Sequence, residues 1–315
     1  MNKHHIKSIA RLFDHHAVLT GCMLVFCILM ASSFAYASAL TDVQRQLFPD
    51  RAKILEVNNT SLPLIESLNT TANLYGVAIL VGESGRPPAS QQNLAMLTQS
   101  LNNLGWVTMQ ISPPTVGFEP DLADPTKSEE QSQEQTNDTA SQVDQPANSQ
   151  ATSSAPSTPN SPQYQLHRIS NAHFLLHEQA LRERISAVMR RAQNYSGFRL
   201  VIAQGTSAAW MIKMYAEEQI PSPDAFVAIS AFWPQRNLNA LISTYTANTP
   251  MPLLDIYSDH DNNWGLISAL ERKNSANKNL KLDYRQRHLT HTFNTQSDSE
   301  FVSKEIYGWL HYLGW

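Results

Sequence analysis

Residues 75–111 read YGVAILVGESGRPPASQQNLAMLTQSLNNLGWVTMQI. The first part, 75–81, is a continuous apolar run that closes on Gly82, the pattern of a strand buried on both faces. Residues 90–104 then carry Leu94, Leu97, Leu101 and Leu104 at helical spacing and stop at Gly105, and 106–111 predict a second strand. Strand, helix and strand in that order make a βαβ unit, which implies a parallel pair joined by a right-handed crossover.

Working outward, the alternation continues. Helices are expected at 172–192, 207–218, 238–245, 265–273 and 300–313, and strands at 198–203, 225–230, 252–257 and 280–287. Strict succession of this kind predicts a three-layer α/β domain with a mostly parallel sheet flanked by helices.

Between 121 and 163 large apolar residues almost vanish, and Ser, Gln, Thr, Asn, Pro, Asp and Glu dominate. Such a segment buries too little surface to offset its ordering entropy, so it reads as a disordered, acidic, low-complexity linker. Its charges are Asp121, Asp124, Glu129, Glu130, Glu134, Asp138 and Asp144 against Lys127 alone. A tolerated surface insertion explains it better than a docking tail, because no docking motif stands out and loop closure cost grows slowly with length. The flanking pieces, 40–120 and 164–315, are expected to form one discontinuous domain, the first being too small and strand-poor to stand alone.

The N-terminus has a different logic. Lys3, Lys7 and Arg11 precede an uncharged stretch over 17–30, which leads to Ala35-Tyr36-Ala37. Basic head, apolar middle and A-x-A exit describe a secretory signal peptide over 1–37, hence export, with the periplasm as the expected location. The apolar middle is shorter than the roughly 20 residues of a spanning helix. It reaches that length only if 32–40 are included, which leaves an uncleaved anchor as the alternative. Leu19-Thr20-Gly21-Cys22 resembles a lipobox, but there the cysteine should close the apolar run, and here it opens it.

The chain has 315 residues and a formal net charge of −4, which argues against a protein that grips nucleic-acid backbones. Both cysteines, Cys22 and Cys27, lie in the signal region, so the mature chain would hold no thiol, disulfide or thiolate metal site. Cysteine hydrolases and zinc ribbons are excluded with them.

In a parallel sheet, ligands gather at the carboxyl ends of strands. Four such segments stand out: Gly82-Glu83-Ser84-Gly85, Gln204-Gly205-Thr206-Ser207-Ala208-Ala209, Ser258-Asp259-His260-Asp261, and His288-Leu289-Thr290-His291-Thr292-Phe293. The order elbow, acid, histidine is that of α/β-hydrolases, where a carboxylate-held histidine serves a nucleophile on a strained turn.

Several runs carry a more particular likeness: Gly105-Trp106, Gly205-Thr206-Ser207-Ala208-Ala209-Trp210, Ile229-Ser230-Ala231, Pro252-Leu253-Leu254-Asp255-Ile256-Tyr257 and Tyr284-Arg285-Gln286. With them in this order, the chain resembles an uncharacterised family of secreted or periplasmic bacterial proteins, a domain of unknown function with an α/β-hydrolase-like fold. The resemblance spans residue 40 to the C-terminus apart from the linker. It implies the fold and an envelope location, and no established substrate.

The elbow admits two registers of G-x-S-x-G. If the strand ends at Ile202, the motif is Ala203-Gln204-Gly205-Thr206-Ser207, and Gly205 at the apex has no side chain to react. If the strand runs two residues further, the motif is Gly205-Thr206-Ser207-Ala208-Ala209 and Ser207 is the nucleophile. The second register leaves polar Gln204 in the strand and puts Ser207 where a helix N-cap is expected, a commoner role for serine. The apolar strand therefore favours Gly205.

Asp261 is the expected acid, with Asp259 beside it; both could equally cap the helix starting near Trp264. His291, deep in its loop, is the expected base, and His288 sits at the strand terminus. Asp259, Asp261, His288 and His291 do not read as a metal cluster, since His-x-x-His outside a helix has no fixed geometry. Gly82, Glu83 and Ser84 occupy the place of an oxyanion loop, although Val81 replaces the histidine that often precedes it; a plain turn requiring positive φ is the bland reading. Most of the six tryptophans should be core, with Trp233 a candidate pocket wall.

The leading expectation is a secreted α/β-hydrolase-fold protein that lacks a standard nucleophile and acts as a binding or scaffolding module, without cofactor. Its partner would be a small molecule or an envelope protein, with membrane contact only through an uncleaved signal segment. The alternative is an esterase-type serine hydrolase using Ser207, His291 and Asp261.

Overall fold

The computed structural model describes residues 50–58, 60–84, 92–114, 170–290, 293 and 295–315. The expected signal segment with Cys22 and Cys27, the acidic linker, Gly85 and His291 lie outside the described residues.

Among the described residues, eight strands form one sheet: β1 (Ala52–Val57), β2 (Thr60–Ser67), β3 (Gly76–Val81), β4 (Trp106–Ile111), β5 (Phe198–Gln204), β6 (Ala225–Ile229), β7 (Leu253–Ser258) and β8 (Tyr284–Leu289). Six helices accompany them: α1 (Gln92–Asn103), α2 (Asn171–Ala192), α3 (Gly205–Ala216), α4 (Arg236–Asn248), α5 (Asn263–Lys278) and α6 (Gln296–Tyr312). The sheet order is β1-β2-β4-β3-β5-β6-β7-β8. β2 runs antiparallel to β4, and the pairs from β4 through β3, β5, β6 and β7 to β8 are parallel. The expected three-layer, mostly parallel architecture is present. Strands from either side of residues 115–169 lie next to each other in it, since β3 pairs β5 from Gly76 opposite Phe198 to Val81 opposite Ala203.

The layers follow from the two-residue period of the strands. In β3, Val77, Ile79 and Val81 join one core with Leu181, Ile185 and Val188 of α2 and with Trp210 of α3. Ala78 and Leu80 point the other way, into a second core with Leu94, Leu97 and Leu101 of α1 and with Val302, Ile306 and Trp309 of α6. Each fully buried Leu, Ile or Val contributes roughly 1.5–3 kcal/mol relative to exposure. Helix starts are set locally. Ser170 caps α2 by accepting from His173 N, and Thr295 with Asp298 forms a capping box on α6. None of the described helices is long and apolar enough to cross a membrane.

Two expectations need correction. The 40–120 piece is not strand-poor, because β1 and β2 were missed. Pro63 and the polar residues of TSLPLIES disguise β2, while the turn signal was Asn58, which takes φ 47° between the two strands. The last strand begins at Tyr284, not at 280. Leu280 and Leu282 mimic alternation in the sequence, but Leu280 takes φ 54° in the turn after α5 and both side chains are exposed.

Candidate functional site

The site lies at the carboxyl ends of β3, β5, β6 and β7. β5 runs to Gln204, opposite Ile229 of β6, so the strand extends past Ile202 despite the polar side chain. The turn itself is at Gly205, which takes φ 59° and opens α3. A Cβ built there would stand 2.4 Å from Glu83 Cγ and 2.5 Å from Glu83 Cδ. Any other residue would combine the strain of positive φ with displacement of the Glu83 side chain.

Ser207 lies in the first turn of α3 and is fully buried. It is not the N-cap: that position is Gln204, which makes no side-chain capping bond. Its hydroxyl meets Ser84 Oγ at 2.6 Å, and Ser84 Oγ also meets His177 Nε2 of α2 at 2.9 Å. Thr206 Oγ1 donates to the Ser84 carbonyl at 3.1 Å. The His177 ring packs on Trp210 with centroids 4.3 Å apart. These bonds pin the Glu83-Ser84 segment onto the start of α3, and that pinning puts Glu83 over Gly205.

On the other side, β7 ends at Ser258 and the chain curls back so that Asp261 faces β6. Asp261 Oδ1 accepts from Ser230 Oγ at 2.7 Å, and Oδ2 accepts from the backbone N–H of Ser258 at 3.0 Å. Ser230, immediately after β6, takes φ 52°. Burial pushes the Asp261 carboxyl above the usual aspartate range, against the pull of Ser258, Ser230 and Arg272. The capping role belongs to neither Asp259 nor Asp261 but to Asn262, which accepts from Gly265 N at 3.0 Å. Asp259 instead meets His288 Nε2 at 2.6 Å on the surface, both side chains being well exposed.

Beneath the acid loop is a buried polar network the sequence reading missed. Arg272 of α5 bonds both oxygens of Asp255 on β7, at 2.8 and 2.9 Å, with both side chains buried. Tyr284 Oη at 2.7 Å and Gln286 Nε2 at 3.0 Å donate to Asp255 Oδ2. Arg272 Nη1 also donates to the Ala231 carbonyl at 2.9 Å, next to Ser230. Burial works against the charged guanidinium, but Asp255 outweighs it and holds Arg272 above its ordinary value. Runs 229–231, 252–257 and 284–286 therefore meet in space: Ala231, Asp255, Tyr284 and Gln286 all belong to the network, and Ser230 borders it. Arg272 left no signal, because one arginine on a helix with charged neighbours reads as solvated.

The elbow and acid sides border one cavity of about 290 Å³, whose walls include Glu83, Gly205, Ser230, Phe232, Asp261 and Phe293, with His260 at its rim. Glu83, Gly205 and Asp261 are thus brought together. Ser207 points into its own buried contacts with Ser84. Trp233 is not a wall; it is buried against Phe174 and Trp210, and its neighbour Phe232 reaches the cavity. Among the described residues no group of three or more His, Cys, Asp or Glu is placed to hold a metal ion.

Solved structures with a similar course of chain include the esterase domain of a Rhodothermus marinus protein, at 12% identity and TM-score 0.49, covering 82% of this chain and 96% of that one. Est1E from Butyrivibrio proteoclasticus matches at 9% identity and TM-score 0.48, over 83% of this chain and 100% of that one. Dienelactone hydrolase from Anabaena variabilis matches at 14% identity and TM-score 0.45, over 83% and 96%. No curated protein matches the sequence. A family model does, over residues 31–312 and so across the elbow, the acid loop and both cores, and the chain belongs to that family, described as a protein of unknown function, DUF3530, here with an α/β-hydrolase-like fold.

Proposed function

We propose that this protein is an exported ligand-binding module built on an α/β-hydrolase-like fold whose elbow carries no nucleophile. One observation carries the reading: Gly205 occupies the left-handed turn after β5, and Glu83 fills the space where a reactive side chain would project. In α/β-hydrolases the nucleophile stands at that turn, exposed and backed by the helix N-terminus. The cavity has the size of a small-molecule site, with two aromatic walls and a few polar groups converging on it. Export with removal of residues 1–37 and a tolerated surface insertion at 121–163 complete the reading. Its partner is a small molecule or an envelope protein, not nucleic acid.

The second reading, a serine hydrolase of esterase type using Ser207, Asp261 and His291, draws on one feature: the Ser207 hydroxyl is linked through Ser84 to an imidazole, that of His177. Treatment of the purified mature protein with a fluorophosphonate probe separates the two. Any label should be unaffected by Ser207→Ala; label that disappears in that variant overturns the binding-module reading. Mass measurement of the exported chain tests the signal peptide, with loss of residues 1–37 expected and an intact N-terminus counting against it.

A further inference from the structure

β5 and β6 are parallel neighbours with Gln204 opposite Ile229, so the next residues, Gly205 and Ser230, leave the sheet side by side. Both take positive φ, 59° and 52°. For glycine this is easy; for serine it is strained, and such strain persists only where surrounding contacts impose it, commonly at functional sites. Positive φ thus recurs one strand over on a residue that carries a hydroxyl, although Ser230 leads into a loop and not directly into a helix. Ser230 lines the cavity, and its hydroxyl donates to Asp261 Oδ1 at 2.7 Å. The second carboxylate oxygen is fixed by Ser258 N at 3.0 Å, so the acceptor is oriented before any ligand arrives. Ser207 has none of this: it is fully buried against Ser84.

We propose that Ser230 is a nucleophile of this cavity, accepting a short acyl group from an activated ester or thioester, with Asp261 as the base. Ser230 Oγ bonds to the carbonyl carbon while its proton passes to Asp261 Oδ1. The bond from that carbon to the leaving oxygen or sulfur breaks, and the leaving alkoxide or thiolate takes the proton back from Asp261. The products are an acyl ester on Ser230 and a free alcohol or thiol. Burial favours this direction, because a carboxylate lifted above its usual range is a better base. Phe232 and Phe293 give the acyl chain an apolar wall in a cavity of about 290 Å³, room for a short chain. The proposal rests on the reading of the cavity as the ligand site and extends it to covalent capture; it does not involve Gly205 or Ser207.

The test incubates the full chain with p-nitrophenyl butyrate, counts released p-nitrophenol and maps the adduct by peptide mass spectrometry. One butyryl group on Ser230 is expected, retained in Ser207→Ala and absent in Ser230→Gly, which keeps the left-handed turn without strain. Asp261→Asn should slow acylation by about 100-fold or more. An adduct on Ser207, or no adduct on folded protein, overturns the proposal. Thermal stabilisation by N-propylbutyramide, which cannot acylate, reads the cavity separately. Stabilisation without an adduct removes the nucleophile and leaves the binding site, whereas neither effect removes both.

Discussion

The elbow after β5 and the acid loop after β7 face the same cavity but are held in different ways. The elbow is clamped from inside: Ser84 joins Ser207 and His177 with all three side chains buried, and Glu83 lies over Gly205. The acid loop is held through Asp261 by the Ser230 hydroxyl and the Ser258 backbone N–H, with the Arg272–Asp255 pair tying α5 to β7 and to Ala231 beside Ser230, while its outer pair, Asp259 and His288, is open to solvent. A clamped elbow keeps a cavity shape but cannot present a side chain. A loop held at one point can fix one carboxylate, here Asp261, and leave its outer residues exposed.

The largest expected effect breaks the anchor. Arg272→Ala strands the buried Asp255 carboxylate and should cost about 3–5 kcal/mol in urea unfolding, more than any single change at the elbow. A smaller loss would mean that Tyr284 and Gln286 suffice to satisfy Asp255. Next comes the clamp. Gly205→Ala combines left-handed strain with a clash against Glu83 and should cost about 2–3 kcal/mol, falling to about 1–2 kcal/mol in a Glu83→Ala background. Equal costs in both backgrounds would show that Glu83 is not what closes the elbow.

Asp261→Asn should produce a smaller change, of opposite sign at neutral pH. Burial raises the native carboxyl above its value in the unfolded chain, so the protonated form favours folding. That contribution is complete below the unfolded aspartate pKa and is lost as pH rises through the raised native one. Stability measured against pH should therefore converge for variant and wild type in acid and favour the variant at neutral pH; a variant less stable at neutral pH would show that the Ser230 and Ser258 bonds outweigh burial. The smallest effect is on the surface, where His288→Ala should change stability by no more than about 0.5 kcal/mol because its contact with Asp259 is exposed.

Much of the fold was legible. Apolar runs such as GVAILV and the Leu94, Leu97, Leu101 spacing fix element type through periodicity, and the turns after them mark where a ligand would sit. β1 and β2 were not legible, since a strand holding Pro63 and several polar residues has no local signature until β4 pairs with it. The position of Gly205 could be read as an apex, but the strand end was a poor guide to it: Gln204 stays in β5 because Ile229 lies opposite, a non-local reason.

The sequence by itself determined the alternation of strands and helices, the acidic character of residues 121–163, the lack of cysteine beyond residue 27 and the candidate loops, because these depend on local pattern and composition. Only the tertiary structure decided that Glu83 covers Gly205, that Ser207 turns to Ser84, and that Ser230 meets Asp261. Each joins residues from different strands or loops, brought within hydrogen-bond or van der Waals distance by the sheet register alone, and no spacing along the chain encodes that register.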